Sequence, residues 1–356
     1  MAQKFFLLAL NPGSSSTKIG VFENEKPLFT KNIKHDEAAL AAFKDIADQK
    51  AFRKQAILEA LSGQGFDPKR LSAVVGRGGL LRPLESGTYR VNEAMLADLK
   101  EARRGKHASN LGAMIAYEIA SGLGIPAFIV DPVSVDEWEP VARLSGLEGL
   151  DRECLSHALN TKAVAKRFAR ENNRKYNELR LIVAHLGSGI SVSAHLNGRM
   201  VDVTNPMEEG AFSSERSGSL PILKLAKMCF SGKHAYQDIE KMTFRSGGLA
   251  SYLGTKELPE VVKRIAAGDE KAKLVLEAMA YQVAKDIGAI ATVLSGKVDA
   301  ILLTGGMAHE SKLCEAVEER VAFIARVYRY PGEDELVALA EGALRVLTGG
   351  EKEREY

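Results

Sequence analysis

Apolar positions fall into two kinds of pattern along this chain: short continuous runs closed by glycine or proline, and stripes at steps of three or four. The first run, residues 5–10, is closed by Asn11-Pro12-Gly13 and predicts a buried strand followed by a turn. Residues 17–22 and 26–33 predict two more strands, with Glu23-Asn24-Glu25 between them. Residues 36–61 predict one helix stopped by Ser62-Gly63, and 71–75 a strand running into Gly76-Arg77-Gly78-Gly79. Helices follow at 92–104 and 109–121, with Asn92 and Ser109 as N-caps, then a strand at 127–130 ending at Asp131-Pro132. A helix at 156–172 leads to a strand at 181–184, the turn Gly187-Ser188-Gly189, and two strand signals around 190–203. Helices are expected at 219–230, 258–267 and 269–295. The last carries the stripe Ala272, Val275, Met279, Val283, Ile287, Ile290 and Leu294. A strand at 300–303 ends in Thr304-Gly305-Gly306, helices follow at 312–325 and 335–347, and the charged tail from Glu351 is expected to fray.

The pattern repeats. A shift of 174 lays residues 8–14 on 182–188, and a shift of 227 lays 73–79 on 300–306, strand on strand and turn on turn. The two shifts differ by 53, so the second half carries that many extra residues, placed in the irregular stretch 204–257. We therefore expect two related α/β domains, 1–153 joined by the C-terminal helix of 335–356, and 154–334 with an insertion at 204–257. Two such domains define a central cleft, and ligands of open α/β sheets bind at the carboxyl ends of strands, where all four glycine turns stand.

Composition narrows the class. With 356 residues, 46% hydrophobic and 26% charged, the chain can build sizeable cores. A net charge of +2 argues against a nucleic-acid partner, and no run is long enough for a membrane span. Three scattered cysteines, Cys154, Cys229 and Cys314, suit neither a zinc cage nor a disulfide framework and point to a reducing, cytoplasmic compartment.

The chemistry gathers in the turns. Asn11 to Lys18 packs Gly13, Ser14, Ser15, Ser16 and Lys18 together, where backbone N–H groups and hydroxyls can donate to phosphate. No G-x-x-x-x-G-K-[ST] loop occurs, and Gly187-x-Gly189 lacks the third glycine of a dinucleotide fingerprint. Arg77 and Arg216 each either grip an anion or close a salt bridge. Asp131 is a functional carboxylate or a turn-capping one, and His157 and His185 are reactive or merely structural.

Asn11-x-Gly13-Ser14-Ser15-Ser16-x-Lys18 resembles the N-terminal signature of acetate and butyrate kinases. His185-Leu186-Gly187-x-Gly189, followed by Arg216-x-Gly218-Ser219, resembles their second. The resemblance spans essentially the whole chain. His107-Ala108-Ser109-Asn110-Leu111-Gly112, Gly76 to Leu81 and the chain length are closer to butyrate kinases. It implies the duplicated ribonuclease H-like fold of sugar kinases, actin and heat-shock ATPases, and ATP-dependent phosphorylation of a short-chain fatty acid, butyrate, with ATP/ADP and Mg²⁺. Acetate or a branched acid is the alternative substrate. A non-catalytic nucleotide-binding switch is the alternative from another class. By resemblance, Asn11, Gly13, Ser14, Ser16 and Lys18 border the phosphates, and Gly187, Gly189, Gly305 and Gly306 line the nucleotide site. Arg77 and Arg216 flank the acyl carboxylate and the phosphoryl group, which His157 and His185 contact. Asp131 and Glu335 hold the metal. Gly78, Gly79, Ser156 and Met207 are expected to line the acyl pocket. The segment Gly254-Thr255-Lys256-Glu257 lacks the arginine that acetate kinases carry near the adenosine. Partners are then small molecules and further copies of the chain, as a homodimer or higher homo-oligomer.

Overall fold

A computed structural model describes residues 3–356. The chain forms two compact units, one from the residues up to Asp136 together with Asp334–Tyr356, the other Glu137–Glu333. Residues 137–153, expected in the first, pack with the second.

In the first unit, β1 (Phe6–Pro12), β2 (Ser16–Glu23) and β3 (Lys26–Lys34) form an antiparallel meander. Then β4 (Ala73–Arg77) joins β1 in parallel, β5 (Thr88–Arg90) closes the far edge, and β6 (Ala127–Val130) lies parallel to β4. The order is β3-β2-β1-β4-β6-β5. β1 is buried along nearly its whole length, as a central strand covered on both faces must be. β3 is almost wholly exposed and carries Lys26, Lys31 and Lys34, charges that suit a sheet edge.

The expected helix over 36–61 is broken into α1 (Glu37–Ala41), a 3-10 turn at Ile46–Gln49 and α2 (Lys50–Gly63). The break is a capping box: Asp45 accepts from the Ala47 amide, and Asp48 accepts from the Asp45 amide. Asn92 caps α3 (Glu93–Glu101) through the Met95 amide. Ser109 does not cap α4 (Asn110–Leu123); its hydroxyl turns to His107 Nδ1 at 2.7 Å. The tail is not frayed. The Arg354 amide donates to Thr88, the Arg90 amide donates to Arg354, and the Tyr356 hydroxyl donates to Asp98.

The second unit repeats the plan. β7 (Arg180–Leu186), β8 (Ile190–Leu196) and β9 (Arg199–Val203) form the meander, and β10 (Ala300–Gly305) and β11 (Val327–Pro331) add in parallel, in the order β11-β10-β7-β8-β9. β5 and β11 were not expected; each is short, and β11 has no continuous apolar run. α5 (Ala158–Glu171) covers one face through Val164, Ala165 and Phe168 against Leu181 and Val183. Ile182 and Ala184, pointing the other way, join the core of the long helix. The stretch between β9 and the next core helix holds α6 (Ile222–Cys229), α7 (Tyr236–Phe244) and α8 (Gly248–Leu253). Then come α9 (Leu258–Ala266), α10 (Glu270–Val293), whose apolar stripe is buried through Ile290, and α11 (Ser311–Val321).

The duplication reaches the hydrogen-bond register. Leu7 pairs with Ala73, and Leu181 pairs with Ala300, so the pairs correspond under the two shifts of 174 and 227. Among the described residues, no helix is long and apolar enough to cross a membrane.

Close packing sets where β4 delivers Arg77. A Cβ at Gly76 would overlap the Gly112 carbonyl, and one at Gly112 would overlap the Arg77 carbonyl. α4 therefore lies directly on the β4 backbone. Gly to Ala inside a helix ordinarily gains about 1 kcal/mol. Here Gly112→Ala should lower stability instead, by about 1–3 kcal/mol as in other overpacked cores, read as a reduced urea midpoint at unchanged m-value.

Candidate active site

In the first unit, Asn11 and Arg77 leave adjacent parallel strands side by side, the Arg77 guanidinium reaching Asn11 Oδ1 at 3.4 Å. Glu335, at the start of the C-terminal helix, accepts from both: Arg77 Nη1 lies 2.7 Å from it and the Asn11 amide hydrogen-bonds to it. The salt bridge left open for Arg77 is therefore made, with the guanidinium still 30% exposed. The turn after β1 is closed by the Gly13 amide donating to Ser16 at 2.8 Å. Ser14, Ser15 and Lys18 are exposed and Ser16 half-buried, with Lys18 directly across the ladder from Asn11. Beneath the turn sits Arg53 of α2, fully buried and bonded to the carbonyls of Gly13, Ser14 and Ser16. Arg53 was not singled out from sequence, because one arginine on a mixed helix carries no local signal.

Asp131, at the end of β6, is buried and holds the left-handed φ of +37°. Its Oδ1 accepts from the Ser86 hydroxyl at 2.6 Å and the Gly87 amide at 2.8 Å, the loop-holding role the sequence left open. A non-glycine residue held in this region marks a strained position of the kind that clusters at functional sites.

Gly78 and Gly79 are close-packed positions on the side where a Cβ would stand. A Cβ at Gly79 would stand 2.6 Å from Asn110 Cα and 2.8 Å from a Leu99 methyl, and one at Gly78 3.1 Å from Ile129. The space a side chain would take here is filled by α3, α4 and β6.

In the second unit, His157 and His185 stack with ring centroids 3.8 Å apart and planes 12° from parallel. His185 is buried; its Nδ1 donates to Asn160 Oδ1 at 2.8 Å and its Nε2 lies 3.2 Å from Glu333 Oε1. His157 Nδ1 meets the Ser191 hydroxyl at 2.9 Å. Gly187 leaves room for the His185 ring and Glu333, since a Cβ there would sit 2.9 Å and 3.1 Å from them. Gly189 leaves room for Arg216, whose guanidinium would be 2.6 Å from a Cβ. Gly305, at φ +92°, lets the end of β10 meet the backbone of Leu186, while Gly306 is open around its Cα.

Arg216 donates to the Pro206 carbonyl at 3.1 Å and to Met207 Sδ at 3.3 Å, and among the described residues it has no salt bridge. Burial draws its pKa below the usual arginine value, with Glu215 opposing. A half-buried guanidinium without a carboxylate partner is an anion site in waiting. Nearby in the chain, Ser156 and Asn205 are buried, and Ser156 Oγ and Asn205 Nδ2 have no hydrogen-bond partner within the fold. Met207 is 39% exposed. Asn160 and Ser191 were not named from sequence, since each matters through a partner many residues away.

Residues 152–325 match the model of the Acetokinase family. The chain is also similar in fold to acetate kinase from Porphyromonas gingivalis, at TM-score 0.77 and 20% identity over 95% of this chain and 99% of that one. A propionate kinase from Francisella tularensis matches at TM-score 0.75 and 18% identity, covering 95% and 98%. A ROK-family protein from Streptococcus pneumoniae matches at 0.52 and 14%, covering 97% and 100%. The mixed α/β two-domain architecture is thus that of acetate kinase and of sugar-kinase-like relatives.

The loop carrying Arg216 is held from α10. The Ala211 amide donates to Asp286 at 2.7 Å and the Phe212 amide to Gln282 at 3.1 Å. Burial pushes Asp286 up from 3.8 to about 6, against the pull of the Ala211 amide and Lys285 and with the push of Glu209. Because its folded pKa is raised, its contribution to stability is complete below its unfolded pKa and lost as pH rises through about 6. Asp286→Asn should remove this dependence. The stability of wild type relative to the variant should fall by up to about 3 kcal/mol from pH ~4 to pH ~7, measured by urea unfolding at each pH.

Proposed function

We propose that this protein is a carboxylate kinase that moves the γ-phosphoryl group of ATP to a short-chain fatty acid, with butyrate the preferred acceptor, and runs reversibly. The observation that carries the reading is Arg216, without a salt bridge beside Gly189, in the same unit as the stacked His157–His185 pair. The acetokinase match over 152–325 supports it.

A fatty-acid carboxyl has a pKa of about 4–5, so it is ionised at neutral pH and needs no general base. A carboxylate oxygen bonds to the γ-phosphorus as the bond to the bridging oxygen breaks, giving an acyl phosphate and ADP. The difficulty is that an anion must approach a polyanion, so the protein's task is charge neutralisation and alignment. In this reading the guanidiniums of Arg77 and Arg216 supply fixed positive charge, and His157 and His185 donate to the phosphoryl group. The amides and hydroxyls around Ser14 and Ser16, with Asn11, Gly13 and Lys18, receive phosphate oxygens. Gly187, Gly189, Gly305 and Gly306 keep side chains out of the nucleotide's way. Mg²⁺ ordinarily takes one or two carboxylates together with phosphate oxygens and water. The hard oxygens of Asp131 and Glu335 fit that demand, and no closed cage of three His, Cys, Asp or Glu is found among the described residues. Bound there, the ion would neutralise phosphate charge.

The preference for butyrate rests on the segments Gly76 to Leu81 and His107 to Gly112, with Ser156 and Met207 as the remaining pocket candidates. One methylene is worth about 1–3 kcal/mol in a pocket, so the preference is broad.

The purified protein should form acyl hydroxamate from ATP, Mg²⁺, hydroxylamine and butyrate, and stop in EDTA. Across acetate to hexanoate, butyrate should give the highest kcat/KM. Arg77→Lys and Arg216→Lys keep charge but lose the planar fork, and each should lower turnover by about 10²–10³. No hydroxamate with any acid would favour the nucleotide-binding switch instead, and near wild-type rates in a variant would remove that arginine from the site.

Self-association belongs to the same proposal. α6 has no buried residue, and Ile222, Leu223 and Phe230 are 80%, 79% and 93% exposed. Contiguous exposed apolar surface of this kind marks an interface. Light scattering should show a dimer or larger species, and the double change Leu223→Glu, Phe230→Glu should shift it to monomer with circular dichroism unchanged.

A further inference from the structure

Every donor of the Arg53 guanidinium is used, and none of its acceptors is charged. Nη1 donates to the carbonyls of Gly13 at 2.8 Å and Ser16 at 3.0 Å and to Thr17 Oγ1 at 3.2 Å. Nη2 donates to the Ser14 carbonyl at 2.8 Å and to Gln49 Oε1 at 2.9 Å, and Nε to the same oxygen at 3.1 Å. The residue is 0% exposed, and among the described residues no salt bridge involves it. Leaving a buried cation without a carboxylate is costly, and a neutral side chain would avoid that cost. An anion outside the fold would offset that cost.

The turn shows what that is. The Ser15 carbonyl accepts from the His35 amide at 2.9 Å, and the Ser16 carbonyl also accepts from the Gly13 amide. All four carbonyls of residues 13–16 therefore bond to donors of the fold. Among the described residues, the amides of the exposed Ser14 and Ser15 have no partner. With its oxygens tied down and its N–H groups unspent, the turn is a concavity suited to an oxyanion.

We propose that Arg53 is the positioning residue of a phosphate-binding turn: it holds the carbonyls of Gly13, Ser14 and Ser16 away from the ligand, and its buried charge is answered by a polyphosphate that it never touches. The proposal rests on reading Gly13 to Lys18 as a phosphate turn. Lysine at this position would keep the charge but lose the rigid planar fork that spans three carbonyls. Glutamine would keep polarity without charge.

The test uses full-length Arg53→Lys and Arg53→Gln, with inorganic pyrophosphate binding by calorimetry as a readout independent of turnover. Both variants should bind pyrophosphate about 10- to 100-fold more weakly, the weight of one charge-assisted hydrogen bond, Gln more weakly than Lys. KM for ATP should rise in parallel, while KM for the carboxylate stays within about twofold, a split that general loosening of the fold would not produce. If either variant loses its circular dichroism, Arg53→Ala leaves a guanidinium-sized hole, and millimolar methylguanidinium should restore pyrophosphate binding to it. Unchanged pyrophosphate affinity in folded Arg53→Lys would overturn the proposal, and so would an Arg53→Ala whose binding methylguanidinium does not restore. Failure of the kinase reading looks different: wild type would make no hydroxamate and yet bind pyrophosphate through Arg53.

Discussion

The parallel pairings β1–β4 and β7–β10 are the constraint on which each unit depends. A parallel ladder in register brings two carboxyl ends to one level, so whatever follows those strands is forced together. In the first unit, Leu10 opposite Gly76 sets Asn11 beside Arg77. In the second, His185 opposite Thr304 brings the Gly187–Gly189 turn to Gly305, whose lack of a side chain lets the two backbones touch. The meander adds a hairpin to one of these strands, and that hairpin carries the serine-rich turn in the first unit. Covering helices then fix depth, as α4 does where Gly76 meets Gly112.

The charges on this frame are placed unevenly, and the unevenness is informative. Surface ion pairs such as Lys4–Glu23 or Arg103–Glu101 cancel locally and contribute little. Arg53 and Arg216 do not cancel: both are withdrawn from solvent, and both bond to neutral oxygen or sulfur. Arg77 is matched by Glu335, which Asn11 also approaches. An incoming anion at Arg77 competes with a carboxylate of the fold, whereas at Arg216 it meets an unanswered cation. In the proposed function the two arginines would therefore set different thresholds for their ligands.

How much of this was legible follows from range. Strand ends, glycine turns, the long stripe of α10 and the double shift are local or periodic, and the pairing register obeys the same two shifts. The roles of Arg53, Asn160 and Ser191 depend on partners between 25 and 40 residues distant, which no window along the chain displays. The tail looked free because it is charged; it docks because Arg354 supplies backbone groups to an open edge at β5. β5 and β11 are held by their neighbours more than by their own sequence.

Gly78 and Gly79 show the sharper limit. A glycine after a strand signals only that something comes close, and sequence does not say whether that something is a ligand or the protein. At Gly189 the neighbour is the Arg216 guanidinium; at Gly79 it is Asn110, whose Oδ1 also accepts from the Leu80 amide at 2.9 Å and so locks the loop after β4. That lock helps hold Arg77, a few residues earlier, in place. The glycine pair thus acts on the site through stiffness, by fixing an arginine, and not through volume. In the proposed function, selection of acyl length would also draw on side chains whose surroundings are incomplete within the fold. Ser156, with its unpartnered hydroxyl, and the partly exposed Met207 on Arg216 meet that requirement, and both lie in the unit that carries the unanswered arginine.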